Sequence, residues 1–317
     1  MTEEEQEKKG VPMIVTVARW TQTNFPRKAK SSNKVQMISI AYSRYCEFAR
    51  FALIAAKVDF DELACIPGQH VLPALALRFS GDKPSVSTSK GMHKVGKEGE
   101  AQAKAERAAR TTATPVAVAP DGTIYVDSWA IANSTGLAPC DDGLRKTLDE
   151  EVAVDARHAV YFYLLQEKNI PLFHQMGALG ESWGWRALWN LGMNHKLTGM
   201  LGEAFKVDDV AAKDAAISRL KDQFKRIDEL YMSKKKGIYL SGGDAPGLGD
   251  IALAAIAGPM CTPDKILGGK YKPIFDKLLD ANEELRENVA YFRQTAVGAH
   301  CMMIYDKHRP LAEGVKL

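Results

Sequence analysis

The sequence predicts two parts of different fold class, an α/β part followed by an all-α part. Three observations support this division. Residues 35–65 have a strand–helix–strand pattern, residues 114–131 have a strand–turn–strand–helix pattern, and the chain after Leu148 has helical periodicity without a convincing strand. A change from mixed strands and helices to helices alone is typical of a domain boundary.

The α/β part begins with a short apolar strand, predicted at residues 35–42. Ser43 then precedes a helix that we expect to continue to about Lys57, because its apolar residues recur at helical spacing. A second strand is predicted at residues 58–65. The order is therefore strand, helix, strand, and the helix is expected to bury one face.

The second half of the α/β part is a hairpin followed by a helix. Alternating apolar residues flank Pro120-Asp121-Gly122, and the glycine supplies the positive φ that a tight reversal needs. Asp127 and Ser128 precede an apolar segment, where side-chain oxygens accept hydrogen bonds from free helix amides. Taken with the first strands, the order is βαβ…ββα, which is that of a thioredoxin-like domain.

The composition suggests how these parts are arranged along the chain. Residues 80–110 are rich in Lys, Gly, Ser, Glu and Ala, which favours a solvated insertion with a short polar helix at about 98–110. The predicted segments are an extension at 1–34, a thioredoxin-like domain at 35–137 containing the 80–110 insertion, a linker at 138–147 and an all-helical domain at 148–317.

Charge and hydropathy exclude several function classes. The 317 residues include 42 basic and 39 acidic side chains and a net charge of +3, without the concentrated basic face of a nucleic-acid-binding domain. No apolar run is long enough to span a membrane, and the charged first ten residues resemble neither a secretory signal nor a transit peptide. We therefore expect a cytoplasmic protein with neither nucleic acid nor membrane as its partner.

Cysteine and histidine spacing gives no metal site. The five cysteines are scattered and odd in number, and His174 and His195 lack the spacing of metal ligands. We expect reduced thiols and no metal cofactor. The cysteines are Cys46, Cys65, Cys140, Cys261 and Cys301.

Three motifs resemble those of the glutathione transferase superfamily. Residues 43–53 resemble the first strand-to-helix turn of that family. Thr114-Pro115-Val116 resembles its cis-proline turn, and Asp127-Ser128 resembles the acidic–Ser pair that follows. Residues 242–253 resemble the start of the buried helix in its second domain. Arg44 stands where the family often has proline, and Gly247 where its helix cap usually has Ser or Thr. Glycine remains an acceptable N-cap, with Asp250 as the acidic N3 residue.

The resemblance implies a transferase that conjugates glutathione, as cosubstrate, to an electrophilic small molecule, as in detoxification, and that forms a homodimer. Ser43 would donate a hydrogen bond to the glutathione sulfur and stabilise the thiolate. Thr114, Pro115 and Val116 would present backbone to the cysteinyl part. Asp127 would bind the γ-glutamyl ammonium, and Ser128 its carboxylate.

Each of these residues also has a purely structural interpretation. Ser43, Asp127 and Ser128 are good helix caps, and Pro115 suits a strand edge. Cys46 occupies the second position of a Cys-x-x-Cys-like motif whose first cysteine is replaced, so a glutathione-dependent thiol reductase is an alternative. A noncatalytic binding or scaffold protein with the same fold is another.

Aromatic and basic residues mark candidates for the electrophile pocket, which are Tyr45, Arg157, Tyr161 and Trp183. Concave ligand sites combine apolar walls with a few polar groups, and these side chains fit that description. Aromatic residues at helical spacing are more often core. Tyr42 and Tyr45 are further candidates for the hydroxyl donor, with packing as the alternative.

Overall fold

A computed structural model describes residues 33–71, 73, 74, 77, 86, 87, 114–179, 186, 189–205 and 207–315. The contacts divide the chain into two compact units. Among the described residues, the first unit contains 33–40 and those between 58 and 134, and the second contains 41–57 and 135–315. The predicted 1–34 extension and 80–110 insertion lie almost wholly outside the described residues.

The first unit is built on a four-stranded sheet. Its strands are β1 (Val35–Ile40), β2 (Phe60–Cys65), β3 (Val116–Val118) and β4 (Ile124–Tyr125), in the spatial order β2-β1-β3-β4. Strand β1 is parallel to β2 and antiparallel to β3, and β3 is antiparallel to β4. This mixed order confirms the thioredoxin-like sheet that the sequence predicts.

Side chains from all four strands bury one apolar cluster in this unit. Ile38, Val116 and Ile124 are at most 1% exposed, because alternate residues of a strand point to the same face. The chain before β4 reverses at Gly122, whose φ of 84° is accessible to glycine without a steric cost. Asp121 fixes the turn by accepting from the Thr123 amide at 2.9 Å. The predicted hairpin is therefore confirmed.

One helix lies between β1 and β2 in the sequence, and another follows the hairpin. Helix α1 (Arg44–Ala55) belongs to the second unit, and the short helix α2 (Ser128–Asn133) to the first. Helix α1 ends two residues before the predicted limit because Lys57 has a φ of 55°, outside the right-handed helical region. Strands β1 and β2 are each two residues shorter than predicted.

Among its described residues the second unit contains helices and turns without a strand, in agreement with the predicted all-helical part. Its further helices are α3 (Asp142–Thr147), α4 (Ala153–Leu164), α5 (Ile170–Ala178), α6 (Asn194–Phe205), α7 (Val210–Ile227), α8 (Leu248–Cys261), α9 (Lys272–Asp280), α10 (Glu283–Gln294) and α11 (Ala296–His308). The predicted helix over residues 208–232 is α7 followed by a π-helical turn, Asp228–Met232.

Helix α8 is the centre of this unit. It is apolar on all sides, and each residue from Ile251 to Ala257 is at most 1% exposed. Gly247 is the N-cap, and its amide donates to the Asp250 carboxylate at 2.9 Å. Both predicted cap residues are thus confirmed, and the Leu248 amide, the first of the helix, donates to the Ala138 carbonyl at 2.8 Å.

Candidate active site

The open end of the β3–β4 hairpin collects five of the predicted site residues. Ala117 lies opposite Tyr125 and Val118 opposite Ile124, so this register brings residues 114–116 and 127–128 to the same end. The Thr114–Pro115 peptide bond is cis, which confirms the cis-proline turn predicted from the sequence. Val116 begins β3 and is fully buried.

Asp127 is the N-cap of α2, and both of its carboxylate oxygens accept hydrogen bonds. One carboxylate oxygen accepts from the Ala130 amide at 2.7 Å, and the other accepts from the Ser87 hydroxyl at 2.8 Å. The structural interpretation of Asp127 as a cap is therefore correct. A carboxylate has about four lone-pair positions, so capping leaves room for an ammonium partner. Ser128 is 4% exposed.

Ser87 reaches Asp127 because the preceding residue pairs with β4. The Val86 amide donates to the Ile124 carbonyl at 2.8 Å, and the Val126 amide donates to the Val86 carbonyl at 3.0 Å. Val86 and Ser87 are exposed, so these two described residues of the predicted solvated insertion at 80–110 add a short pairing with β4 to that prediction. Alternating Val86 and Ser87 carry a weak strand signal that the surrounding polar composition hides.

Ser43 lies in the second unit, immediately before α1. Its backbone is extended, with φ −74° and ψ 127°, and its carbonyl accepts from the Glu47 amide at 2.8 Å. The Ser43 hydroxyl makes no capping hydrogen bond. The capping role therefore belongs to the Ser43 backbone, and its half-buried side chain is available for another partner.

Arg44 turns back from the start of α1 towards α4. One of its terminal nitrogens donates to the Ala153 carbonyl, and its guanidinium lies 5.6 Å from the centre of the Tyr45 ring. Burial lowers the pKa of Arg44 to about 10, so this group remains a cation at neutral pH. The residue that departs from the family motif thus adds a positive charge beside Ser43.

Two of the predicted pocket residues form an aromatic and cationic cluster on α4. The Tyr161 ring stacks on Phe205 at 4.8 Å, and the Arg157 guanidinium lies 5.1 Å from the centre of the same phenylalanine ring. The Arg157 Nε is buried without a hydrogen-bond partner among the described residues. Burial raises the pKa of Tyr161 and of Tyr45, so both phenols stay protonated. Trp183 lies outside the described residues.

A cavity of about 70 Å³ lies within the second unit next to Arg44. Apolar side chains from α4, α5, α8 and α9 form most of its wall. Its polar members are Tyr42, Arg44, Glu47, Tyr161 and Tyr305. Tyr305 was not among the predicted site residues, since its helix lies far from the others along the chain.

Glu47 supplies the only carboxylate among these lining side chains, and it is already fully engaged. Arg50 donates to it at 2.6 Å and the Arg309 Nε at 2.8 Å, and the Leu267 amide completes the set at 3.2 Å. The Glu47 side chain is 1% exposed. It therefore serves as the counter-ion of two arginines.

The cysteines are poorly suited to nucleophilic chemistry. Cys46 is fully buried in α1, which argues against the reductase interpretation because an attacking thiolate needs access to its disulfide. Burial raises the pKa of Cys140 to about 12, which keeps that thiol protonated. Within the described ranges, no three His, Cys, Asp or Glu side chains are grouped to hold a metal ion. No helix described there is both long and apolar enough to cross a membrane.

Comparisons with known proteins give similarity in structure but not in sequence. No protein-family model matches the chain, and no curated protein matches it. A glutathione S-transferase of Ceriporiopsis subvermispora, solved in complex with glutathione, aligns with a TM-score of 0.51 at 12% identity, over 89% of this chain and 100% of that one.

Two further solved structures are also glutathione transferases. One, from Phanerochaete chrysosporium, has a TM-score of 0.47 at 10% identity and covers 90% of this chain and 99% of that one. The other, from C. subvermispora and in complex with glutathione, has a TM-score of 0.44 at 15% identity, over 82% of this chain and 99% of that one.

The first unit has a thioredoxin-like sheet with a cis-proline hairpin, and the second consists of helices with an apolar central helix. These features define a class of proteins in which an α/β part is followed by an all-α part. The alignment over the full length of the first C. subvermispora structure makes the fold more specific. This chain has the glutathione S-transferase fold, as the sequence motifs predicted.

Proposed function

We propose that this protein is a glutathione transferase that conjugates reduced glutathione to an electrophilic small molecule. The observation that supports this most directly is Ser43, which begins α1 with a hydroxyl that makes no capping hydrogen bond. The chain has the fold of a transferase solved with glutathione bound. A serine that only capped its helix would use its side-chain oxygen for that purpose.

The chemistry requires a thiolate at neutral pH. A free thiol has a pKa of about 8.5, and lowering it by about two units takes roughly 2.7 kcal/mol of preferential stabilisation of the anion. We propose that the Ser43 hydroxyl donates a hydrogen bond to the sulfur. The partial positive charge of the amides at the start of α1 stabilises the thiolate further. Arg44 adds a nearby cation.

The γ-glutamyl part of glutathione is assigned to the open end of the hairpin. There the Asp127 carboxylate attracts the ammonium, and Ser128 contributes a hydroxyl and an amide for the carboxylate. Val116 offers its backbone to the cysteinyl part. These roles are carried over from the family resemblance onto residues that the fold brings to one end of β3 and β4.

The role of Ser43 is tested by Ser43→Ala, with Ser233→Ala as the matched control because that hydroxyl donates to the Glu229 carbonyl at an exposed site. We expect Ser43→Ala to raise the pKa of bound glutathione by about one unit, since the helix amides and Arg44 remain, and to lower kcat/KM at neutral pH by up to about tenfold. Ultraviolet absorbance of the thiolate and turnover of 1-chloro-2,4-dinitrobenzene measure these effects. Ser233→Ala should change neither.

Two other outcomes would favour the alternatives. If Cys46→Ser abolishes activity in a disulfide-reduction assay and Ser43→Ala does not, the protein is a thiol reductase. If glutathione binds in calorimetry but no electrophile is turned over, a noncatalytic binding protein is favoured. If millimolar glutathione gives no binding heat, both enzymatic proposals fail.

Asp127→Asn separates the binding role of Asp127 from its capping role. Asparagine is as good an N-cap as aspartate, so the free energy of unfolding should change little. Loss of the negative charge should weaken glutathione binding about tenfold or more. Calorimetry and denaturant unfolding on the same variant distinguish the two roles, and unchanged affinity would remove Asp127 from the proposed site.

A further inference from the structure

We propose that a second cavity of the helical unit binds an aromatic carboxylate, at a site separate from the proposed transfer chemistry. This cavity, which we call the linker cavity, is lined by residues from 139–144, 230–235 and 240–241 and by Gly249. The first segment lies in the predicted linker, and Gly249 lies in the first turn of α8. The linker cavity shares no lining residue with the cavity beside Arg44.

The walls of the linker cavity are joined by hydrogen bonds between distant segments. The Tyr231 hydroxyl donates to the Asp141 carboxylate at 3.0 Å, and the Leu248 amide donates to the Ala138 carbonyl at 2.8 Å. Tyr231 also packs closely on Gly143, where an added Cβ would lie 2.7 Å from the phenol oxygen. Walls that are fixed in this way form the cavity before any ligand arrives, as is usual for small-molecule sites.

Several polar side chains of the linker cavity already donate their hydrogens to protein groups. The Tyr231 hydroxyl is engaged with Asp141, and the Ser241 hydroxyl donates to the Ala245 carbonyl at 3.0 Å. The Cys140 thiol donates to the Asp141 carbonyl at 3.3 Å. The donors that remain for a ligand are the ammonium groups of two lysines.

Lys234 and Lys235 supply these donors, and neither side chain is buried. Lys235 donates to the Ile238 carbonyl at 3.2 Å, which uses one of its three N–H groups. Neither lysine forms an ion pair within the described part of the chain. Asp141 is the one carboxylate among the lining residues, and its Oδ1 accepts from Tyr231 and from a backbone amide. The lining residues therefore carry two cations and one anion, so an acceptor beside the lysines should be anionic.

Apolar side chains determine the rest of the ligand. Pro139, Leu144, Leu230 and Leu240 line the cavity, and Leu230 is 48% exposed. The volume of about 260 Å³ exceeds that of the ~150 Å³ engineered cavity that admits benzene. A pair of fused aromatic rings fits this volume. Such a ligand would cover the exposed leucine with its rings and place its carboxylate at the lysines.

Calorimetry with naphthalene-2-carboxylate tests the linker cavity, and the uncharged 2-naphthamide is the matched probe. We expect the carboxylate to bind at about millimolar concentrations and the amide at least about fivefold more weakly. Lys234→Gln and, separately, Lys235→Gln should each weaken the carboxylate about threefold and leave the amide unchanged. Lys236→Gln changes the next residue of the same basic tract, which does not line the cavity, and should affect neither probe.

A negative charge on the apolar wall tests the location of the site. Leu230→Asp should weaken naphthalene-2-carboxylate at least about tenfold, because it adds like charge and removes an apolar contact. Val210→Asp is its control, since Val210 is 55% exposed and does not line the cavity. Both leucine and valine are largely exposed, so unfolding in denaturant should be little changed in either variant. Saturating glutathione should leave the affinity for the carboxylate unchanged.

Three results would overturn the assignment: equal binding of the carboxylate and the amide, no binding of either, or carboxylate binding that is insensitive to the changes at Lys234, Lys235 and Leu230. Competition between naphthalene-2-carboxylate and glutathione, without loss of binding in those variants, would place the ligand in the proposed active site and would also overturn it. None of these measurements requires turnover, so the linker cavity and the proposed transferase can each fail while the other stands.

Discussion

Two buried carboxylates in the helical unit, Glu47 and Asp250, are neutralised in different ways. Glu47 accepts hydrogen bonds from the guanidinium groups of Arg50 and Arg309 and from one backbone amide. Asp250 accepts from the amides of Gly247 and Leu240, at 2.9 and 2.7 Å, and lies 2.8 Å from a ring nitrogen of His300. Both residues are at most 1% exposed.

The difference lies in what remains when the carboxylate is changed. Without the negative charge of Glu47, two buried cations lose their counter-ion, and isolated buried charges are very unfavourable. Without that of Asp250, the main loss is hydrogen bonding to neutral amides. The same burial therefore places Glu47 in an ionic network and Asp250 in a helix cap.

Glu47→Gln should have the largest effect on stability. Glutamine keeps the shape of the side chain but leaves Arg50 and Arg309 without a buried counter-ion, so we expect a loss of about 3–5 kcal/mol in the free energy of unfolding. Denaturant unfolding followed by circular dichroism measures this loss. A double-mutant cycle with Arg309→Met should give a coupling energy of about 0.5–3 kcal/mol, whereas additive effects would contradict the ionic interpretation.

Asp250→Asn should have a smaller effect. The amide group of asparagine faces a backbone N–H in place of one carboxylate oxygen, which costs about 1–3 kcal/mol. Asp209→Asn is the matched control, because Asp209 caps α7 at an exposed site and asparagine caps equally well. The comparison between the two carboxylates fails if Asp250→Asn destabilises the protein as much as Glu47→Gln does.

Lys272→Ala should have the smallest effect. Lys272 and Asp276 form an ion pair at 2.7 Å on α9, with side chains 29% and 50% exposed. Exposed pairs of this spacing contribute about 0.3–0.5 kcal/mol, because water screens the charges. Unfolding in low and high salt should show that this small contribution disappears with ionic strength. A loss above ~1 kcal/mol would contradict the expectation that this exposed ion pair contributes less to stability than the buried carboxylates Glu47 and Asp250.

The sequence could predict the features that depend on neighbouring residues. Asp250 can be predicted as the acidic N3 residue because it lies three residues after the N-cap Gly247. The turn at Gly122 can be predicted from the apolar strand patterns on either side of it. Asp127 is readable as a cap for the same reason. Local hydrogen bonds have partners at fixed spacing, so residue types at that spacing predict them.

The candidate site was only partly predictable for the opposite reason. Glu47 and Arg309 are 262 residues apart, and no local pattern relates them. Ser43 was identifiable from its motif, but the absence of a side-chain cap is visible only in the structure. The sequence makes Tyr42 a candidate hydroxyl donor, whereas only the packing shows that its hydroxyl is buried without a partner among the described residues.

The βαβ…ββα order of the first part, the hairpin, the buried central helix and the resemblance to glutathione transferases could be predicted from the sequence alone, because each depends on periodicity or short motifs. Helix α3 could not, because residues 138–147 have the composition of a linker. Tertiary structure decided that Cys46 is inaccessible, that Ser87 reaches Asp127, and that Tyr305 joins Arg44 at one cavity. These facts depend on burial and on long-range packing. Both arise only when segments distant in the sequence come together.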